Sequence, residues 1–297
     1  MERLVVIGAP TSAGAYAPGQ EDGPAALRSQ GLPAALEEAG LAVEDAGDIE
    51  HFRWRPDPAS PRAANAAVVA DRAVQVAARV TAALAEGGRA LVLGGDCTVG
   101  VGTMAALAPQ GAGLVYLDRH GDLNTPGTTI DGALDWMGVA HMLGLEGADA
   151  AIAELAGTAP MLTPERLAYL ALDREIVNEA ERERLDALRP AVIGMRETRA
   201  DPAGAAAAAL AALRDAPALA VHFDVDVLDF LDAPLAENVD RTPGLPLGAA
   251  AEALAVLLAD PRVRAVTVTE FNPHHGADDG STTRRLVAAL AAALAPA

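Results

Sequence analysis

The feature that most restricts the fold of this chain is the alternation of short apolar runs with alanine-rich stretches of helical character. Seven segments carry four to six apolar residues and end in a turn, polar or acidic group: RLVVIGAP, ALVLGGDC, GLVYLDRH, RLAYLALD, PAVIGM, ALAVHFDVD and RAVTVTEFNP. Apolar runs of this length are typical of strands buried on both faces of a sheet. Between them the sequence predicts helices over 65–86, 202–214, 247–258 and about 282–294. This alternation predicts a parallel, doubly wound α/β sheet covered by helices on both faces.

We expect one domain over residues 1–297, because 51% of the composition is hydrophobic and no glycine-rich or charged linker divides the chain. The 22 basic and 41 acidic residues give a net charge of −19, which disfavours nucleic acid and anionic membranes as partners. The opening MERLVVIGAP lacks the features of a signal peptide, and no uncharged apolar run reaches membrane-spanning length. These features predict a cytoplasmic protein.

Ionisable side chains follow four of the predicted strands. They are Asp96 and Cys97 in LGGDC, Asp118, His120 and Asp122 in DRHGD, Asp224 and Asp226 in HFDVD, and Glu270 in TEFNP. The carboxyl ends of parallel strands meet at one edge of a sheet, where open α/β sheets bind ligands. Alternate residues of a strand share a face, so we expect Asp118, His120 and Asp122 to lie on one face. Two carboxylates this near each other resist burial unless a positive charge lies between them. Oxygen and imidazole ligands suit Mn²⁺ and related ions, so the sequence predicts a divalent-metal site.

The ordered set of these motifs resembles the ureohydrolases, the family of arginase, agmatinase and formimidoylglutamase. It comprises GAPTSAGAYAPGQEDGPAALR, VEDAGDI, LVLGGDC, DRHGDLNTPGTT, HFDVDVLD and EFNP, spaced over nearly the whole chain. The resemblance implies a three-layer α/β/α sandwich around a mainly parallel sheet, assembled into homotrimers or hexamers. It also implies two Mn²⁺ ions bridged by a hydroxide, which attacks the guanidinium carbon of a small guanidino substrate to release urea.

The resemblance also implies a role for each matching residue. Asp118 and Asp224 would bridge the two ions, and Asp122 would also hold the nucleophile. Glu270 would orient the guanidinium carbon toward the hydroxide. Asn124 would line the substrate pocket, although an ordinary turn role explains this residue as well. The complete set of implied metal ligands is Cys97, Asp118, His120, Asp122, Asp224 and Asp226.

Cys97 is the first departure from the family pattern, which has a metal-binding histidine at this position. A thiolate is a softer ligand than imidazole and shifts the preference toward Zn²⁺ or Fe²⁺, with Co²⁺ and Ni²⁺ also open. The alternative is a small buried thiol beside a site that holds one metal fully and the other weakly.

The second departure lies in TTIDGALDWMG, where Asp131 and Asp135 stand at the serine and histidine positions of arginases. Asp135 would carry protons if burial raised its pKa, but capping of the following helix and contact with a cationic substrate are favoured. A helix beginning here would place both carboxylates one turn apart and facing the pocket. Because Asp131 would then oppose the α-carboxylate of arginine, we expect arginine not to be the preferred substrate. Capping by Asp131 is the alternative.

Two classes of function follow from these residues. The first is an amidinohydrolase, with formimidoylglutamase-type chemistry and hydroxyarginine hydrolysis as alternatives. The second is a metal-depleted, noncatalytic scaffold or regulator, which Cys97 and Asp135 favour. The enzyme is preferred, because six acidic or imidazole groups at one edge would be costly without metal. His222, two residues before Asp224, is expected to be either a hydrogen-bond partner of a ligand or an ordinary strand histidine.

Overall fold

The computed structural model describes residues 3–129, 131–157 and 159–296, and one eight-stranded sheet organises this part of the chain. Every strand pairing is parallel, in the order β2-β1-β3-β8-β7-β4-β5-β6. The predicted parallel α/β sheet is therefore confirmed, and each of the seven apolar segments contains a strand. The strands are β1 (Arg3–Gly8), β2 (Ala42–Asp48), β3 (Arg89–Leu93), β4 (Gly113–Leu117), β5 (Leu167–Leu172), β6 (Ala191–Gly194), β7 (Leu219–Asp224) and β8 (Val263–Thr269).

Helices cover both faces of this sheet and complete three layers. Alternate strand residues point to opposite faces, so Leu91 and Leu93 join one buried cluster while Ala90 and Val92 join the other. The four predicted helices correspond to α3, α9, α10 and α11. The helices are α1 (Gly23–Ser29), α2 (Leu32–Glu38), α3 (Ala66–Ala85), α4 (Val99–Leu107), α5 (Gly138–Met142), α6 (Ala150–Ala153), α7 (Glu179–Leu188), α8 (Met195–Ala200), α9 (Pro202–Ala212), α10 (Leu247–Leu258) and α11 (Ser281–Leu294). Among the described residues, no helix has the length and apolar character needed to span a membrane.

Strand β2 has no counterpart among the predicted strands. It lies at the edge of the sheet, pairs only with β1, and has the mixed sequence AVEDAGD with partly or fully exposed side chains. An edge strand buries less surface than a central one, so it needs no continuous apolar run. The apolar pattern therefore indicated the six interior strands and the apolar edge strand β6, but not the polar edge strand β2.

The structure corrects two local expectations. Pairing of β4 with its neighbours stops at Leu117, so Asp118, His120 and Asp122 lie in the loop that follows and do not share a strand face. No helix begins at Asp131. The next helical element is a 3₁₀ turn over Asp135–Met137, which precedes α5, and its N-cap residue is Leu134, so no side-chain hydrogen bond caps it. The two carboxylates at 131 and 135 are thus not related by a helical turn.

The strand order positions the candidate site. Strands β3, β8, β7 and β4 are consecutive neighbours at the centre of the sheet, and each is followed by one of the ionisable clusters. Their carboxyl ends meet at one edge, as parallel pairing requires. Cys97 and Glu270, which are 173 positions apart in sequence, therefore come into hydrogen-bond contact there.

Candidate metal centre and active site

A cavity of about 680 Å³ opens at the carboxyl edge of the four central strands. Asp118 is completely buried and does not line it. The remaining nine predicted site residues do, namely Cys97, His120, Asp122, Asn124, Asp131, Asp135, Asp224, Asp226 and Glu270. The structure therefore brings together residues that the sequence distributes over more than half of the chain.

The first group of potential ligands consists of Cys97, Asp118, His222 and Asp224, whose ligand atoms all lie within 4.8 Å of one another. All four side chains are buried. Cys97 Sγ donates to Asp224 Oδ2 at 2.8 Å and lies 3.5 Å from His222 Nε2. Burial and the negative charges of Asp224 and Glu270 raise the pKa of the Cys97 thiol well above its ordinary value.

The second group consists of Asp118, His120 and Asp226. His120 Nδ1 lies 3.0 Å from Asp226 Oδ2 and 3.4 Å from Asp118 Oδ1. Burial and the charge of Asp226 raise the pKa of Asp118 to about 6. Burial alone would lower the pKa of His120, but the charge of Asp226 and the hydrogen bonds to both carboxylates raise it well above its ordinary value. A proton on His120 thus offsets negative charge that a divalent cation would otherwise neutralise.

The residues of both groups fit a divalent cation. Asp118 Oδ2 and Asp226 Oδ1 are buried oxygens without a hydrogen-bond partner. An unsatisfied buried oxygen costs about 1–3 kcal/mol, and more when it carries charge. Carboxylate, imidazole and thiolate are all ligands of divalent transition metals. A cation at this position would supply the partner that these oxygens lack.

Asp122 lines the cavity but belongs to neither group. Its backbone is left-handed, with φ of 47°, and its carbonyl oxygen accepts a hydrogen bond from the Ala140 N–H at 3.0 Å. The hydroxyl of Tyr116 donates to Asp122 Oδ2. Burial and the nearby Asp118 raise the pKa of Asp122 well above its ordinary value. Its predicted role as a metal ligand stays a prediction.

Glu270 is held rigidly at the cavity wall. Its Oε1 accepts from the Cys97 N–H at 2.9 Å, and its Oε2 accepts from Gln20 Nε2 at 2.9 Å. Burial and the charge of Asp96 raise its pKa. Like Asp122, Glu270 has left-handed backbone geometry, with φ of 61°. Such strain in non-glycine residues is often found at functional sites, and two of the five described non-glycine residues with positive φ, Asp122 and Glu270, line this cavity.

The remaining predicted residues, Asp135, Asp131 and Asn124, also line the cavity. Asp135 is buried, and its Oδ1 accepts from the Trp136 N–H at 3.0 Å. Burial, followed by the charges of Glu270 and other nearby carboxylates, raises its pKa well above its ordinary value. Asp131 is exposed, and its Oδ1 accepts from the Ala133 N–H at 3.2 Å in a local turn. Asn124 Oδ1 accepts from Asn178 Nδ2 at 2.8 Å, so this residue serves both its turn and the pocket wall.

His222 and Tyr116 are the site residues that the sequence did not assign to the ligand set. The His222 ring stacks on Tyr116, with centroids 4.2 Å apart and planes 12° apart, and its Nε2 lies 3.0 Å from Thr269 Oγ1. Burial lowers the pKa of His222 to about 3, so the imidazole is neutral. The two-residue spacing before Asp224 pointed to a shared face, but nothing in the sequence distinguished a ligand from a packed strand histidine. Tyr116 lay within an apolar run and gave no signal.

Together the fold and the site define an α/β protein that gathers acidic, imidazole and thiol side chains at the carboxyl edge of a parallel sheet. The arginase-family model matches residues 2–295, and the chain belongs to this family. The resemblance of its motifs to the ureohydrolases is thereby confirmed.

Individual relatives agree with this assignment. The arginase of Bacillus caldovelox is 32% identical over 177 residues, which cover 57% of this chain and 58% of that protein's length. The arginase of Eremothecium gossypii is 30% identical over 289 residues, which cover 94% of this chain and 71% of that protein. The crystal structure of arginase from Bacillus subtilis superposes with a TM-score of 0.87 at 27% identity, covering 100% of this chain and 99% of the other.

Proposed function

We propose that the protein is a metal-dependent amidinohydrolase that cleaves a guanidino compound into urea and an amine. The observation that carries this proposal is the position of Glu270, whose fixed carboxylate faces the same cavity as two groups of potential metal ligands. A cation-binding carboxylate beside a metal centre is the arrangement that guanidino hydrolysis requires. The family membership of the chain supports the same chemistry.

Each group of residues has a part in this chemistry. The residues that would hold the metal are Cys97, Asp118, Asp224 and the second group. Mn²⁺ is the expected ion of the oxygen-rich second group, and a thiolate ligand from Cys97 shifts the preference of the first group toward Zn²⁺. A bound divalent ion would supply a hydroxide nucleophile at neutral pH by lowering the pKa of water. Glu270 binds the guanidinium through charge-assisted hydrogen bonds, and its two fixed oxygens orient the carbon to be attacked.

Asp122 and Asp135 both line the cavity and have proton-handling roles in this proposal. Tyr116 fixes the carboxylate of Asp122 at the cavity wall, where it can accept a hydrogen bond from the nucleophile. The raised pKa of Asp135 keeps a proton available at this carboxyl for the departing amine. The alternative role of Asp135 is to anchor a cationic substrate, which its carboxyl group would do from the same place in the cavity wall.

The charges of the cavity wall disfavour free arginine as the substrate. Asp131, Asp135 and Glu181 line the cavity, and no lysine or arginine is among the described residues that line it. An α-carboxylate would therefore meet the carboxylates of Asp131 and Glu181 without a cationic partner, and a juxtaposition of like charges costs up to several kcal/mol. The same wall disfavours the dicarboxylic substrate of formimidoylglutamase-type chemistry. A substrate with a cationic or neutral distal end, such as agmatine, suits this wall.

The test is a comparison of kcat/KM for agmatine, 4-guanidinobutyrate, arginine and Nω-hydroxyarginine, measured by urea release with Mn²⁺ and with Zn²⁺. We expect agmatine to exceed arginine at least tenfold. A tenfold preference for arginine or its hydroxylated form would show that the charge argument is wrong. Absence of urea or formamide release with any metal and substrate would leave the noncatalytic scaffold as the function. Homo-oligomeric assembly and a cytoplasmic location belong to the proposal, and light scattering measures the former.

A further inference from the structure

The first ligand group differs chemically from the second. It contributes one sulfur, one imidazole nitrogen and two carboxylates, from Cys97, His222, Asp118 and Asp224, whereas the second contains carboxylates and the imidazole of His120. Sulfur and imidazole nitrogen are the characteristic ligands of Zn²⁺. Oxygen-rich sets suit Mn²⁺ better. The two groups share Asp118 and so lie next to each other.

Several elements position the imidazole of His222. The residue lies on β7, opposite Tyr116 of β4 and Thr267 of β8. Its ring stacks on the Tyr116 ring, and its Nε2 is the nitrogen that lies 3.5 Å from Cys97 Sγ. Gly100 of α4 provides the space, because a Cβ at this position would lie 2.6 Å from His222 Nδ1. The ring is thus held with Nε2 beside the thiol of Cys97.

Tyr116 also acts on Asp122. The ring that stacks on His222 carries the hydroxyl that donates to Asp122 Oδ2. One tyrosine therefore holds an imidazole inside the first ligand group and a carboxylate outside it. An additional buried atom points to a ligand at this position, since Asp118 Oδ2 is completely buried and has no hydrogen-bond partner.

We propose that Cys97 and His222, together with Asp118 and Asp224, form a four-ligand site for a thiophilic divalent ion, Zn²⁺, and that Asp122 is not a ligand of this ion. The inference rests on the proposed function only in placing a metal at this edge of the sheet. The second group remains an oxygen-rich site for a second ion. His222 thereby supplies the imidazole that a site with cysteine at position 97 lacks.

The test uses full-length protein from which metal has been removed with a chelator. Co²⁺ serves as a spectroscopic probe, because a cobalt–thiolate bond gives a charge-transfer absorption in the near ultraviolet. We expect this band in the wild-type protein and its loss in Cys97→Ser. X-ray absorption of wild-type protein with one equivalent of Zn²⁺ should show one sulfur at about 2.3 Å and imidazole scattering.

Zinc affinity, measured by competition with a chelating dye, separates His222 from Asp122. Replacing a residue that supports a metal ligand typically lowers metal affinity 10- to 100-fold, and loss of a ligand itself lowers the affinity further. His222→Gln should therefore weaken Zn²⁺ binding at least about 100-fold. Asp122→Asn should weaken it less than about threefold, because Asp122 is not a ligand of this ion. The exposed His274 provides the matched control, because His274→Gln removes an imidazole away from the site and should leave the affinity unchanged.

Three results would overturn the proposal: no thiolate band in wild-type protein, an absorption spectrum with nitrogen and oxygen ligands only, or a greater loss of Zn²⁺ affinity in Asp122→Asn than in His222→Gln. The wild-type measurements decide the matter even if His222→Gln does not fold. Zinc bound through Cys97 and His222 without any urea release would mean that the proposed function fails while this inference stands. If urea is released but metal binding does not depend on Cys97 or His222, the proposed function stands and this inference is wrong.

Discussion

Replacement of Glu270 by glutamine tests the substrate-binding carboxylate with little effect on the fold. Oε1 of the new side chain can still accept from the Cys97 N–H, where Glu270 accepts at 2.9 Å. The new amide NH₂ would face the NH₂ of Gln20, but Gln20 Oε1 is buried without a partner. Rotation of the Gln20 amide by half a turn therefore converts a donor–donor contact into a hydrogen bond. We expect the melting temperature of Glu270→Gln to equal or exceed that of the wild type, because a buried carboxylate has been removed.

The effect on activity follows from the lost charge. A hydrogen bond to a charged group contributes about 1.5–3 kcal/mol, and each 1.4 kcal/mol corresponds to a factor of ten. With the guanidinium no longer paired to a carboxylate, kcat/KM should fall by about 10- to 100-fold. The fall should be similar for every guanidino substrate, since Glu270 contacts the group that all of them share.

Glu237→Gln is the matched control. Glu237 is also buried, and its backbone N–H donates to the Glu270 carbonyl oxygen at 2.8 Å, but its side chain bonds to Asn272 and does not line the cavity. The same change of charge should leave kcat/KM within about threefold of the wild type. Urea release with agmatine and thermal unfolding provide the two measurements. If both variants lose activity equally, or if Glu270→Gln retains wild-type kcat/KM, Glu270 does not bind the guanidinium.

Three further predictions concern the metal centre and its supports. Asp122→Ala should abolish turnover while circular dichroism shows a folded protein, because the hydrogen-bond partner of the nucleophile is lost; activity above a few per cent would contradict this role. Gly100→Ala should lower the free energy of unfolding by about 1–3 kcal/mol, because its Cβ would lie 2.6 Å from His222 Nδ1. The control Gly248→Ala, with no atom within 4 Å of its Cβ, should raise it by up to about 1 kcal/mol; equal effects in urea denaturation would refute the crowding argument. Metal removal should lower the free energy of unfolding by about 2.7 kcal/mol relative to protein with ion at 100 times its Kd, and an unchanged melting temperature would mean that no ion binds.

The interior strands could be predicted from the sequence, because central strands of a parallel sheet are buried on both faces and therefore consist of apolar runs. Apolar runs accordingly predicted the six interior strands and also the edge strand β6, whose sequence AVIG is apolar, and spaced apolar residues predicted α3, α9, α10 and α11. The edge strand β2 was not predicted, because its side chains are partly or fully exposed and its sequence can therefore be polar. The end of β4 at Leu117 was not predicted either, because pairing with the neighbouring strands, and not the local sequence, decides where a strand ends.

The sequence by itself determined the family, the parallel sheet and the identity of the residues at its carboxyl edge, because the strands and the motifs that follow them are local patterns along the chain. Only the tertiary structure decided which of these residues meet. The position of His222 beside Cys97 depends on the stacking of its ring on Tyr116 and on the space left by Gly100, which come from two other elements. The hydrogen bond from Tyr116 to Asp122 likewise joins a strand to a left-handed loop residue. Such contacts are set by packing among separate elements, and no local pattern in the chain records them.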